Sequence, residues 1–528
     1  MRRLFRLSTV AGLIGAGALG LVAGCWPFAD VADCATVFTN CPTSSSSSGG
    51  PDGGHNCDPA LGAVDESCGV FVSATAAPDG GQGSGTMASP FQTFAEAAAA
   101  NPARVYACAG SYVETMPVTF TGGVDVYGGF TGCTAAGWTW NPNMQAQITT
   151  VANAPGVVLD GATNKLEGVS VTAPAATMPG GSSIALVVNG GSLDMSNGAL
   201  TAGDAMAGTP GTTVPDDSTL DGAAGDSGVG VCMTAANNPG PAGKTNTCST
   251  GGSSLAGNGG DGGLLSGTVL LAAGSGTDGS PPNPGQPASG KGGTGEGQGT
   301  PAALSCVSGT DGANGATGMS ATGASGTGSI SASGYTGAMG GGGANGLPGQ
   351  GGGGGGGVEG GLMIDCGMGP ADRVGASGGA GGTGGCGGAA GGGGNPGGSS
   401  LALVSFGATV TFTQVTLTAG KAGAGGAGGN GQSGGQKGMG GSPGAGKGTA
   451  QASCQGGYGG QGGPGGPGGG GQGGHSLGVA YKGAPPTGGT FMINPANNGT
   501  GGPGGSGNAT TNNGKGADGT AANTLAFN

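Results

Sequence analysis

Residues 182–205, SSIALVVNGGSLDMSNGALTAGDA, align without a gap on residues 399–422, SSLALVSFGATVTFTQVTLTAGKA, at an offset of 217 with 11 of 24 positions identical. A fainter copy, HSLGVAYKGAPPTGGTFMI, occupies 475–493. Each copy pairs β-rich stretches around a glycine-containing break, and self-similarity of this kind marks units that stack on one another. Each also adjoins a glycine-rich tract. Only 30 of the 141 glycines fall in residues 1–200, so the last 328 residues hold one in about every three positions. The repeat implies a common β framework from which 206–398 departs after one layer and rejoins at the next.

Upstream of the repeat, the β-rich stretches are RVYAC (104–108), VDVYGGF (124–130), QITTV (147–151), GVVLD (156–160), LEGVSV (166–171), IALVV (184–188) and SLDM (192–195), bounded by Gly, Asn or Pro. One short helix is expected over Phe94–Ala100, with Thr93 and Glu96 at capping-box spacing and Asn101-Pro102 as its stop. Strands this short with no helices between them exclude a doubly wound sheet and leave a sandwich, a barrel or a coil of stacked rungs. The repeat selects the coil. The expected fold class is all-β, a solenoid with long Gly-rich low-complexity insertions.

The N-terminus has the order of an export signal: Arg2, Arg3 and Arg6, then an uncharged run from Leu7 to Gly24 that is Gly- and Ala-rich and marginal for a membrane span. Without those three arginines the chain keeps 10 basic against 26 acidic residues. Nucleic acid is excluded as a partner, because phosphate contacts need clustered Lys and Arg. Removing Cys25 from the 13 cysteines leaves an even number, which in an exported chain reads as disulfides of unknown connectivity. Residues 25–67, with Ser44–Ser48 and GGPDGGHNCDPALG, lack the apolar content for a core and read as a tether.

Leu21-Val22-Ala23-Gly24-Cys25 resembles a bacterial lipobox, which implies cleavage before Cys25 and its lipidation, with Trp26 implying the outer membrane. DGGQGSGTMASPFQTFAEA (79–97), RVYACAGSYVETMPV (104–118), GVDVYGGF (123–130) and GWTW (137–140) resemble the opening of right-handed parallel β-helix, pectin-lyase-like domains. CGVFVS, VYAC, YGGF, GGSSIAL and LTAG followed by glycine repeats resemble the glycine-rich, PGRS-like lipoproteins of myxobacteria. The likeness covers roughly 68–205 and 399–422 and implies a place and a shape rather than a reaction.

Within the tracts glycine recurs every third residue, at 456, 459, 462, 465, 468, 471 and 474 and in the same phase at 420–429 and 435–444. Three is the period of the polyproline II helix, and neither of helix nor of strand. Packed polyglycine helices and plain disorder are both open, since glycine has the most chain entropy to lose.

No catalytic constellation is found. The acids of the β region, Glu96, Glu114, Asp125, Asp160, Glu167 and Asp194, form no paired motif, and its bases are Arg104 and Lys165. Asp160, Lys165 and Glu167 could share one edge, with solvated turn charges as the plain alternative. GNGGDGGLL (257–265) faintly resembles a calcium nonapeptide but stands as one degenerate copy. His55 and His475 lack a nucleophile motif beside them. Tyr106, Tyr112, Tyr127, Phe130, Trp138 and Trp140 could stack on sugar rings or pack a core. No catalytic, metal or cofactor residue is assigned, and the only site residue is Cys25, for lipidation.

The expected organisation is a signal peptide (1–24), a tether (25–67), an N-terminal β-helix with a capping helix (68–205), a glycine excursion (206–398), a rung (399–422), a second excursion (423–474) and a C-terminal rung and tail (475–528). The expected role is a non-enzymatic, lipid-anchored surface protein, structural or adhesive, partnered by the membrane and by extracellular polysaccharide or surface proteins. The competing class binds or cleaves polysaccharide.

Overall fold

A computed structural model describes residues 57–528 except 76–82, 136, 162, 234–237, 267–268, 299–305, 361–373, 449 and 507–513. The expected signal peptide and Cys25 lie outside the described residues. In chain order the elements are β1 (Val70–Val72), α1 (Phe94–Ala99), β2 (Arg104–Cys108), β3 (Gly110–Val113), β4 (Val118–Thr121), β5 (Asp125–Thr134), β6 (Gly137–Trp140), β7 (Ala146–Thr149), β8 (Pro155–Asp160), β9 (Thr163–Glu167), β10 (Val169–Ala173), β11 (Ser183–Asn189) and β12 (Ser192–Ala202). Short strands follow in the glycine-rich half: β13 (Thr245–Thr247), β14 (Ser253–Leu255), β15 (Leu265–Ser266), β16 (Val269–Leu270), β17 (Ser329–Ser331) and β18 (Gly334–Thr336). The last are β19 (Ser400–Phe406), β20 (Thr409–Ala419), β21 (Ser476–Lys482), β22 (Thr487–Ile493) and β23 (Ala521–Ala526).

The longer strands form an 11-stranded sheet, built on the order β1-β2-β5-β9-β12-β10-β7-β3 with β20, β22 and β6 attached, and a 6-stranded sheet, β23-β21-β19-β11-β8-β4. Pairing in both is parallel apart from the β5–β6 hairpin. The two repeat copies lie side by side in register: Ile184 beside Leu401 and Leu403 beside Leu186 in the smaller sheet, Leu193 beside Val410 and Leu200 beside Leu417 in the larger. The third copy continues both, with Leu477 beside Leu401 and Phe491 beside Leu417.

This arrangement overturns the expected right-handed parallel β-helix with low-complexity insertions. The strands gather into two curled, mostly parallel sheets and do not form a clear solenoid. The reason lies at the corner. β9 and β10 are separate strands divided by Gly168, yet β12 pairs with β9 over its first half and with β10 over its second. β12 therefore bends in mid-strand, at Asn197, and β20 bends at Gln414, both with positive φ. A sheet that turns inside its strands curls on instead of breaking into flat faces. Nor are the glycine-rich lengths set apart as insertions: Gly398 donates to Met206 and Ser183 to Ser399, tying them into the ends of the sheets.

Between the sheets lies the main core, including Val126, Leu159, Leu166, Leu186, Leu193, Met195, Leu200, Leu403 and Leu417, each nearly inaccessible. Burying such side chains stabilises by about 1.5–3 kcal/mol apiece. The other face of the smaller sheet is covered as well. Ile184, Val187, Leu401, Val404 and Leu477 pack with Ile330 and Tyr335 of the β17–β18 hairpin and with Phe527. That explains why the strands of this sheet read as continuous apolar runs rather than alternating ones.

The glycine-rich runs carry no strand assignment, but their backbones are hydrogen-bonded in a threefold pattern. In run 374–398, Gly378, Gly379 and Ala380 donate to Gly260, Cys454 and Asp226, on three different neighbours. Gly381, Gly382 and Thr383 repeat the cycle onto Gly257, Gly457 and Ala223. Three residues per turn point successive N–H groups about 120° apart, so each run can bond neighbours all round. Residues 351–357 are surrounded on every side. Gly351, Gly352 and Gly353 donate to Ser280, Gly382 and Thr310, while Gly257, Gly293 and Gly457 donate back to it. All seven residues from Gly351 to Gly357 are glycine. A Cβ on Gly355 would overlap the carbonyl oxygen of Cys454, and one on Gly352 that of Gly457. Glycine is required here by closeness of approach, since φ at both positions is ordinary.

Glycine surrenders the most chain entropy on ordering, and these runs bury almost no side chains to offset it. Disulfides contribute what a core otherwise would. Cys248–Cys386 and Cys306–Cys454 join residues 138 and 148 apart in sequence. Cys232 is also disulfide-bonded. Cys57–Cys68 and Cys108–Cys133 close the other end of the structure.

Candidate functional site

The aromatic residues converge where the first strands end. Phe71, Tyr106, Tyr127, Phe130 and Trp138 form one buried cluster with Cys57, Cys68 and Cys108. Tyr106 stacks on Tyr127 with centroids 5.8 Å apart, and Phe71 meets Trp138 edge-on at 4.8 Å. Their polar tips are held by backbone. Tyr106 Oη donates to Cys57 O at 2.8 Å, Trp138 Nε1 to Met87 O and Trp140 Nε1 to Gly128 O. Tyr112 Oη, buried against Phe94, donates to Cys108 O, and burial raises its pKa. Phe71, Tyr106, Tyr112, Tyr127 and Trp138 are therefore core, while Phe130 also floors a groove and the half-buried Trp140 lines a surface hollow with Pro59 and Val64. Residues 57–67, assigned to the tether by composition, join this cluster through Cys57 and Val64.

Beside the cluster is a groove of about 650 Å³ lined by Ser73, Thr75, Ser111, Thr131, Thr134 and Met144 over a floor of Phe130 and Cys108–Cys133. A smaller hollow lined by Asn143, Gln145 and Gln147 shares Gly110, Ser111 and Met144 with it. The lining carries hydroxyls, amides and a thioether and no ionisable group, so it can hydrogen-bond a neutral solute. Nothing in the sequence marks it, because it is assembled from four separate strand ends.

The acids resolve one by one. Glu114, from the residue after β3, is buried and accepts from the N–H groups of Phe94 (2.7 Å) and Ala95, at the start of α1. Burial raises its pKa in spite of those two donors. Glu96 completes the capping box with Thr93, as the spacing predicts. Lys165 and Glu167 pair at 2.9 Å, with the ammonium over the Tyr127 ring. Burial, the largest single influence, pulls the Lys165 pKa down, but the Glu167 hydrogen bond together with the charges of Glu167, Tyr127 and Asp58 outweighs it and the net shift is upward. Asp160 stands apart from them, in the smaller sheet, accepting from Asn189 Nδ2 at 2.8 Å. The edge expected for Asp160, Lys165 and Glu167 is thus not assembled. Arg104 pairs with Asp125 at 3.6 Å.

Several acids of the glycine-rich half serve the backbone, while Asp226 pairs with Lys244. Asp204 accepts from Lys421 N–H, Asp221 from Gln436 N–H, Asp261 from Gly240 N–H and Asp311 from Tyr458 N–H, each at 2.7–2.8 Å. At the rim of the bundle a carboxylate stands where the next run would otherwise present a carbonyl. Asp261 is the acid of GNGGDGGLL, and among the described residues no group of three or more His, Cys, Asp or Glu side chains could hold a metal.

The Ser-Ser of the repeat forms a column. Ser182 Oγ accepts from Ser399 N–H (2.9 Å), Ser399 Oγ accepts from His475 N–H (2.8 Å), and His475 Nδ1 accepts from Thr520 N–H (2.9 Å). The second serines do the same one residue on, Ser183 Oγ accepting from Gly203 N–H and Ser400 Oγ from Gly420 N–H. His475 therefore lies beside a serine, but it is the backbone of His475 that meets the Ser399 hydroxyl. Comparison of the chain with known families, with curated proteins and with solved structures finds no match in any of the three. His55 lies outside the described residues. Among those residues, no helix is long and apolar enough to cross a membrane.

Proposed function

We propose that the protein is a non-enzymatic surface lipoprotein, anchored through acylated Cys25 in the outer membrane, with a structural or adhesive role. The observation that carries this reading is the glycine bundle, in which residues 351–357 are hydrogen-bonded to neighbours on every side. Such a body is stiff without a large apolar core, and disulfides between distant residues suit it to an oxidising exterior. The acidic balance supports the same reading, because the carboxylates described above hold backbone N–H groups and each other's neighbouring bases. The sequence likeness to glycine-rich lipoproteins adds the anchor and the compartment.

A second reading, a carbohydrate-binding or polysaccharide-cleaving protein, is favoured only by the neutral groove at Ser111 and Thr131. One experiment separates the two: wild-type and Cys25→Ser proteins are expressed in cells, located by surface proteolysis, and assayed on neutral glycans and uronic-acid polymers. Surface-held wild type, released Cys25→Ser protein and no turnover support the structural role. Product release from a polymer overturns it, as does an unlipidated wild type in the cytosol.

A further inference from the structure

The third repeat copy departs from the first two at one chemically telling place. Where copies one and two carry Ser182 and Ser399, the third carries His475, and the same acceptor task passes from a hydroxyl to imidazole Nδ1. The other ring nitrogen lies 2.8 Å from Thr327 O, a carbonyl that can only accept. Nε2 must therefore bear the proton and Nδ1 must be bare. The ring is buried, packed edge-on against Tyr335 at 5.4 Å and Phe527 at 5.8 Å. Thr520, whose N–H the ring holds, is the residue that leads into β23, the edge strand of the smaller sheet.

We propose that His475 is an acid-operated latch: protonation at Nδ1 replaces the acceptor with a donor facing the Thr520 N–H, and β23 with Phe527 is released from β21. A hydroxyl at this place keeps its acceptor at any ordinary pH, so only this layer of the stack gains the sensitivity. Release uncovers the edge of β21 and the apolar side chains Leu477 and Ala480, which pack with Phe527 in the closed state.

The surroundings leave the ring as the titrating group. Tyr335 on β18 has its phenol pushed up to about 12 by burial and stays neutral. Gln472, on the preceding run, is uncharged at 3.5 Å. On the run that leads into β23, Lys515 and Asp518 pair with each other at 2.8 Å. At the far end of β21, Lys482 sits over the Phe406 ring. Burial lowers the His475 pKa below its ordinary 6.5. A base with a depressed folded-state pKa contributes stability that is present above the unfolded pKa and lost as pH falls through the folded one.

The test is amide hydrogen exchange on the full mature protein, expressed as protection factors so that intrinsic exchange cancels, at about pH 7.5 and about pH 5. Protection across Ala521–Phe527 is expected to fall by up to roughly tenfold per pH unit as pH drops below the ordinary 6.5 toward the lower folded-state pKa, and to level off below that, while β19 stays protected. In His475→Ser, which restores the residue of the other copies, and in His475→Asn, whose Oδ1 can accept without titrating, protection is expected to be the same at both values. Equal protection of β23 at both pH values in the wild type overturns the latch. So does an acid loss of the same size in either variant.

Discussion

Asn197 and Gln414, 217 residues apart, occupy the same bend in paired strands, with φ of 52° and 55°. The left-handed region costs a residue with a side chain about 1–2 kcal/mol, least for Asn and most for β-branched types. Gln414→Gly is therefore expected to leave stability unchanged or raise it by up to about 1 kcal/mol, and Gln414→Val to lower it by about 2 kcal/mol. Urea midpoints of the two variants decide it, and a tolerated valine would contradict the bend.

Adjacent glycines in one run separate two roles. At Gly343 a Cβ would overlap the carbonyl oxygen of Gly466, whereas at Gly342 nothing but Gly391 O comes near, at 3.9 Å. Gly342→Ala should stabilise by about 0.4–1 kcal/mol through the unfolded chain. Gly343→Ala should destabilise and lower exchange protection in residues 460–470. Equal effects of the two substitutions would refute close packing of the runs.

Cys248 and Cys386 close a long loop between two runs, with Cα atoms 5.3 Å apart. In the chain-entropy account a closure of this length contributes about 5 kcal/mol. A Cys248→Ser, Cys386→Ser double variant should therefore lose thermal stability and lose it first in the glycine-rich half. Calorimetry with exchange mapping distinguishes this from a uniform loss across both sheets.

Glu114 carries a pH signature opposite to that of a surface carboxylate. Its pKa is raised by burial. Such a group contributes stability that is fully present below the unfolded value of 4.5 and is lost as pH rises through the folded one. Glu114→Gln should flatten the change in urea midpoint over that window. A slope identical to wild type would assign the dependence elsewhere.

Leu403 has neighbours from both other layers, Leu186 and Val479, in register on either side. Leu403→Ala is expected to cost about 2–5 kcal/mol, since closely stacked layers collapse poorly around a void. Calorimetric unfolding measures the loss.

Much of the β framework is legible in the chain. The 217-residue offset is reproduced by the pairing of Ile184 with Leu401, and the capping box at Thr93 and Glu96 is formed. LEGVSV, in contrast, reads as one strand but is split by Gly168, whose φ of 66° ends β9 before β10 begins. The aromatic cluster is equally visible, though not its burial: sequence cannot tell a ring that stacks on a ligand from one whose hydroxyl or indole N–H is spent on a backbone carbonyl.

By itself the sequence determined which segments repeat, where glycine recurs every third residue and which residues cap helix α1, because these depend on local periodicity and on side-chain chemistry within a few positions. Only the tertiary structure decided that the sheets curl, that the acids at the bundle rim hold neighbouring N–H groups, and that His475 holds Thr520. Each of those depends on which distant backbones lie side by side. A run's own composition records how crowded its surroundings are, as at Gly351–Gly357, but not which neighbours crowd it.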